Sequence, residues 1–158
     1  MPDAAKVLDA ARAAGRRIAT AESCTGGLIA GALTEVPGSS DVVEGGFVTY
    51  SNVAKQSMLG VSAETLQTHG AVSEEVAREM AEGALARTEA NLTVSVTGIA
   101  GPGGSEYKPE GRVCFGLAAD GATPHTETVE FGARGRSNVR QATVRHALAM
   151  LLRHLDAL

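Results

Sequence analysis

Tryptophan is absent from this 158-residue sequence, and tyrosine and phenylalanine together make up only 3% of it. With so few rings, the base-stacking platform used by single-strand binders is hard to assemble. The formal net charge of -4 also argues against a broad nucleic-acid footprint, while leaving room for a local cationic pocket. Cysteine is scarce too: Cys24 and Cys114 are far apart and form no CxxC pair, so a disulfide framework is not expected and a reduced compartment fits better. No apolar run approaches the roughly 18 residues of a membrane span, and the amino end, MPDAAKVLDAARAAGRR, is too charged for a signal peptide. HExxH, paired CxxC and dense Asp/His clusters are all missing, which leaves metal chemistry without ligands of recognisable spacing. The expectations are a cytoplasmic protein with no membrane contact, no direct nucleic-acid binding, no metal and no cofactor.

What remains is an aliphatic chain with 19 glycines, long enough for one domain over residues 1–158 that buries roughly two thirds of its unfolded surface. Val7, Leu8 and Ala11 predict a helix over 4–14, closed by Gly15. A strand over 17–21 leads to a helix over 28–34, which Pro37 and Gly38 stop. A second strand is expected over 42–50, with Gly45 and Gly46 marking a bulge or a close backbone approach. Helices over 52–59, 62–68 and 73–87 follow, the last opened by Ser73 with Glu74 and Glu75 near its positive end. The strand over 91–96 alternates polar and apolar residues and runs into a glycine- and proline-rich loop, 97–111. Strands over 112–119 and 126–131 flank the Asp120-Gly121 turn signal, and Val144, Leu148, Leu151 and Leu155 form one apolar stripe on a final helix. The fold class expected is α/β, a single layered α/β/α domain around a mixed β-sheet.

Three stretches could carry chemistry. In TAESCTGG, residues 20–27, Ser23 and Thr25 stand against Gly26 and Gly27 where a strand hands over to a helix, a place that exposes a hydroxyl near unpaired N–H groups. Ser23 or Thr25 capping the helix is the alternative reading. A serine nucleophile needs a base, and the four histidines lack an obvious carboxylate arrangement. A lysine with a lowered pKa is the other route, sometimes through a tyrosine, and VTYSNVAK offers Tyr50 at a strand end and Lys55 one helical turn onward. A solvated Lys55 is its plain counterpart. Cys24 adjoins Ser23 at a helix start, where a thiolate would be stabilised, so a thiol mechanism is a rival. In SVTGIAGPGG, residues 95–104, backbone N–H groups could form an anion nest. With Ser39, Ser40, Arg136 and Arg140, the sequence supplies donors and cations suited to a phosphate-bearing small molecule.

Taken together, TAESCTGG, PGSS at 37–40, GFVTYSNVAK at 46–55, HGAVSEEV at 69–76, VTGIAGPGG at 96–104, KPEGRV at 108–113 and RSNVRQAT at 136–143 closely resemble the CinA carboxy-terminal domain family. The resemblance implies an amidohydrolase of the PncC type, converting nicotinamide mononucleotide to nicotinic acid mononucleotide and ammonia. It implies Ser23 as nucleophile, Lys55 as base and Tyr50 as a proton-handling or positioning partner. Thr25, Gly26, Gly27, Ser40, Thr97, Gly98, Gly101, Arg136 and Arg140 would then bind substrate, with the oxyanion held over 25–27 or 98–101. The expected partner is a pyridine nucleotide, and a homo-oligomer is the base-rate expectation. The other reading is a non-catalytic nucleotide-binding module or one tied to competence or DNA damage.

Overall fold

The computed structural model describes residues 2–158. Its helices are α1 (Pro2–Ala13), α2 (Leu28–Thr34), α3 (Asn52–Leu59), α4 (Ala63–His69), α5 (Glu74–Ala86) and α6 (Arg136–Asp156). Its strands are β1 (Ile18–Glu22), β2 (Val43–Val48), β3 (Leu92–Gly98), β4 (Arg112–Ala119) and β5 (His125–Glu130). They form one mixed sheet in the order β2-β1-β3-β4-β5, parallel across the first three strands and antiparallel across the last two. Helices cover both faces, which gives the expected α/β/α layering.

The layers follow from side-chain alternation. Leu92, Val94 and Val96 of β3 join Ile29, Leu33, Val139, Val144, Leu148 and Leu151 in the larger core, under α1, α2 and α6. Each fully buried aliphatic side chain of this kind contributes about 1.5–3 kcal/mol. The polar residues of β3 do not face solvent. Thr93 Oγ1 donates to the Ala81 carbonyl at 2.7 Å, Ser95 Oγ to Ala77 at 2.5 Å and Thr97 Oγ1 to Ala71 at 2.8 Å, all along or just before α5. Alternation that ordinarily marks a half-exposed strand here marks one buried on both faces, because short hydroxyls satisfy themselves on helix carbonyls. Opposite Ser95, Gly116 allows the same close approach: a Cβ there would lie 2.4 Å from the Ala77 carbonyl oxygen.

The boundaries differ from expectation in ways that matter for the site. β3 runs through Thr97 and Gly98, so those two residues are strand rather than loop. β2 ends at Val48, leaving Thr49 and Tyr50 as free connection. The expected irregularity in β2 is present, since Ile18 pairs with Val43 but Ala19 pairs with Gly45. The expected close approach is there too: a Cβ on Gly46 would sit 2.5 Å from Thr20 Oγ1.

Parallel pairing brings the carboxyl ends of β1, β2 and β3 to one sheet edge, with Glu22 between Val48 and Val96. The next residues in each chain segment, Ser23, Thr49–Tyr50 and Ile99–Gly101, therefore emerge together. β5 runs parallel to β3, and its continuation delivers the start of α6 to the same edge. Among the described residues, no helix is long and apolar enough to cross a membrane.

Candidate active site

Ser51 caps α3 by accepting the Ala54 N–H at 3.0 Å, and the helix then turns Lys55 inward, where only 2% of it remains exposed. Its Nζ lies 3.1 Å from Ser23 Oγ, 3.1 Å from the Thr49 carbonyl and 3.3 Å from the Tyr50 carbonyl. Burial pushes the Lys55 amine below its ordinary 10.5, opposed by the Glu106 carboxylate. The three oxygens around Nζ can take all three N–H groups of an ammonium, so burial rather than the partner set is what favours loss of the proton. Once the proton is lost, the amine keeps its two N–H groups on the Thr49 and Tyr50 carbonyls and turns its lone pair to the Ser23 hydroxyl.

Ser23 is 7% exposed and pinned by its N–H to the Val96 carbonyl at 3.1 Å. Neither Ser23 nor Thr25 caps α2. That role falls to Glu22, which is wholly buried at the end of β1. Its carboxylate accepts the Ile29 N–H at 2.9 Å, the Ala30 N–H at 3.0 Å and the Thr25 hydroxyl at 2.5 Å. The Glu22 carbonyl also accepts the Thr49 N–H at 2.8 Å. One residue thus ties the turn bearing Ser23 to the segment whose carbonyls hold Lys55. Because the first N–H groups of α2 are spent on Glu22, that helix end offers no anion site.

A cavity of about 320 Å³ opens over Ser23 and Lys55, within the range of small-ligand sites. Tyr50, Thr97, Gly98, Gly101 and Arg136 line it. The Tyr50 hydroxyl accepts from Arg136 at 2.7 Å, while a second N–H of Arg136 donates to the Gly101 carbonyl at 2.9 Å. Thr25, Gly26, Gly27, Ser40 and Arg140, expected on the substrate from sequence, do not line this cavity. Thr25 is buried behind the wall on Glu22. Gly26 and Gly27, at φ 57° and 103°, let the turn reverse. Arg140 donates to the carbonyls of Cys24 and Thr25 at 3.0 and 3.3 Å, gripping the turn from outside. Ser40 lies on an exposed 3-10 turn, Ser39–Asp41, before β2 and hence at the opposite end of the sheet. Cys24 lines the cavity, but burial above all pushes its thiol up to about 12, which keeps it protonated and a poor nucleophile.

The CinA C-terminal domain family model matches residues 2–155. The chain belongs to that family. It is 62% identical over 124 residues to a CinA-like protein of Chlorobium phaeobacteroides (77% of this chain, 30% of that protein). It is 52% identical over 146 residues to a CinA-like protein of Mycolicibacterium paratuberculosis (90% of this chain, 34% of that protein). The chain thus spans about a third of the length of these CinA-like relatives. Among solved structures, the competence/damage inducible protein CihA from Agrobacterium tumefaciens superposes with a TM-score of 0.94 at 52% identity, covering 98% of this chain and 94% of that one. A competence-damaged protein (CinA) superfamily protein from Klebsiella pneumoniae superposes with a TM-score of 0.95 at 37% identity, covering 99% and 98%.

Glu22 and Glu106 were not singled out in the sequence. Glu22 caps a helix seven and eight residues onward, outside any local capping pattern. Glu106 lies in the glycine-rich loop and lines the cavity.

Proposed function

We propose that this CinA-family chain is a serine amidohydrolase acting on nicotinamide mononucleotide, with Ser23 as nucleophile and Lys55 as its base. The reading rests on one observation above all: a buried amine held by two carbonyls and facing a serine hydroxyl at 3.1 Å. Lys55 takes the Ser23 proton as Oγ bonds to the carboxamide carbon, and the carbonyl π pair moves to oxygen. Collapse breaks the C–N bond, Lys55 returns the proton to nitrogen, and ammonia leaves. Water then attacks the acyl ester, passing a proton through Lys55 back to Ser23 and releasing the acid.

Gly98 to Gly101 lines the cavity, and the N–H groups of Ala100 and Gly101 carry no hydrogen bond among the described residues, so we assign the oxyanion to this segment. Removing one such donor typically costs about 3 kcal/mol of barrier. Arg136, at the cavity mouth, would take the phosphate. Tyr50 acts as a positioning partner: its carbonyl holds Lys55, and its hydroxyl holds Arg136. The pyridinium ring withdraws electrons from the carboxamide and eases attack.

The deciding experiment is ammonia release from nicotinamide mononucleotide, nicotinamide and nicotinamide riboside. The nucleotide should be the preferred substrate. Ser23→Ala should abolish release and spare binding; release that persists in Ser23→Ala refutes the nucleophile, and binding without turnover in the unmodified protein points to a sensing module.

A further inference from the structure

Among the described residues lining the cavity, Glu106 is the only carboxylate, and Lys55 and Arg136 are the only basic side chains. We propose that Glu106 is a specificity residue, selecting a substrate whose amide-bearing ring is positively charged over a neutral one. This rests on the amidase reading of the same cavity.

The charge pattern is the first support. With Lys55 neutral, as a base must be, the charges lining the cavity are the Glu106 carboxylate and the Arg136 guanidinium, and the Lys108 ammonium lies beside Glu106 outside the lining, held on the His69 and Val72 carbonyls. That arrangement complements a ligand with a ring cation at its amide end and an anion at the other, and gives a neutral free amide no comparable advantage. The field of Glu106 reaches the Lys55 amine, so both act on one space.

The backbone is the second. Ser105 and Lys108 exchange two hydrogen bonds, at 3.0 and 2.8 Å, around Glu106 at φ 52° and Tyr107 at φ 63°. A two-residue turn with both central residues at positive φ ordinarily takes Asn-Gly, because a Cβ is crowded there. Glu-Tyr in that position is a disfavoured conformation held by its surroundings, and such conformations concentrate at ligand sites.

The anchoring is the third. Lys108 Nζ donates to the carbonyls of His69 at 2.6 Å and Val72 at 2.5 Å, and Glu106 Oε2 accepts the Ala71 N–H at 3.2 Å. Ala71 is in turn fixed through its carbonyl by Thr97. The turn is thereby tied to a rigid wall, and Glu106 Oε1 carries no hydrogen bond among the described residues. Tyr107 points fully into solvent and contributes nothing to the cavity.

The test compares oxidised nicotinamide mononucleotide with its reduced dihydropyridine form, which is nearly isosteric and lacks the ring charge. Affinities are measured by calorimetry in Ser23→Ala, with Glu106 intact and with Glu106→Gln or Glu106→Lys added. Glu106→Gln should weaken the oxidised form about fivefold, the scale of one partly screened charge pair, and leave the reduced form within about twofold. Glu106→Lys should weaken the oxidised form further and abolish its preference over the reduced one. Equal losses on both forms, or none on either, overturn the inference, and the reduced form serves as the internal control for an intact site. If ammonia release by the unmodified protein is intact while the preference ignores residue 106, only the role of Glu106 falls. If the unmodified protein releases no ammonia, the amidase reading falls and takes this inference with it.

Discussion

The Glu22 carboxylate accepts the Ala30 N–H at 3.0 Å, so the residue just before Ser23 caps the helix that follows it. Buried with no lysine or arginine partner among the described residues, this carboxylate is satisfied by helix N–H groups and the Thr25 hydroxyl alone. Glu22→Gln replaces one acceptor oxygen with an NH₂ group that must face a donor. The expected loss is about 2 kcal/mol of stability, the scale of a buried donor left unmet, together with a fall in kcat. Urea midpoints and kinetics on the same preparation check both; an unchanged midpoint would remove Glu22 from its capping role.

On the proposed mechanism, Lys55 sets the pH dependence. Its proton must be absent for Ser23 to be activated, so kcat should rise with pH along a limb whose midpoint lies below 10.5, since burial lowers the folded value. The same depression means that the unfolded chain binds this proton more tightly. The Lys55 contribution to stability therefore improves as pH rises through the folded value towards the unfolded one. Lys55→Ala should cost about 10²–10⁴ in kcat, and a pH–rate profile that keeps its acid limb in Lys55→Ala would assign that limb elsewhere.

Cys24 should be dispensable for chemistry. With its thiol pushed up to about 12 and nearly all of it covered, Cys24→Ser is expected to retain kcat within about threefold, and iodoacetamide should label it slowly at neutral pH. Rapid labelling that tracks loss of activity would restore the thiol as a candidate nucleophile.

Arg136 and Arg140 should separate kinetically although they lie one helical turn apart. Arg136 reaches the cavity mouth, so Arg136→Ala should chiefly raise KM, by about tenfold for one lost charge-assisted contact. Arg140 holds the carbonyls of Cys24 and Thr25, so Arg140→Ala should chiefly lower kcat by loosening the Ser23 turn. Steady-state kinetics on both variants decides, and a KM effect at Arg140 would bring it back to the substrate.

Much of the fold was legible because helix periodicity and turn chemistry are local. The stripe through Val144, Leu148, Leu151 and Leu155, the Ser73 cap and the paired glycines of β2 all lie within a few residues of the structure they specify. The candidate site was legible as residue types at strand ends, with Ser23, Tyr50 and Lys55 delivered to one edge by parallel pairing. Contact partners were not. Nothing in NVAKQSML tells whether Lys55 faces water or three oxygens, because two of those oxygens come from the preceding connection and one from a different strand end. Ser40 shows the converse: adjacency to a turn motif suggested a ligand contact, and strand direction carries it to the far edge.

The seating of α5 on β3 has a mechanical corollary. Hydroxyls of Thr93 and Ser95 lock the helix backbone to the sheet, and Gly116 leaves no slack for it to slide. Thr97 continues this fastening to Ala71. A ligand entering the cavity therefore presses against a fixed anvil on that side, and whatever give accompanies its arrival has to come from the Tyr50–Arg136 clasp.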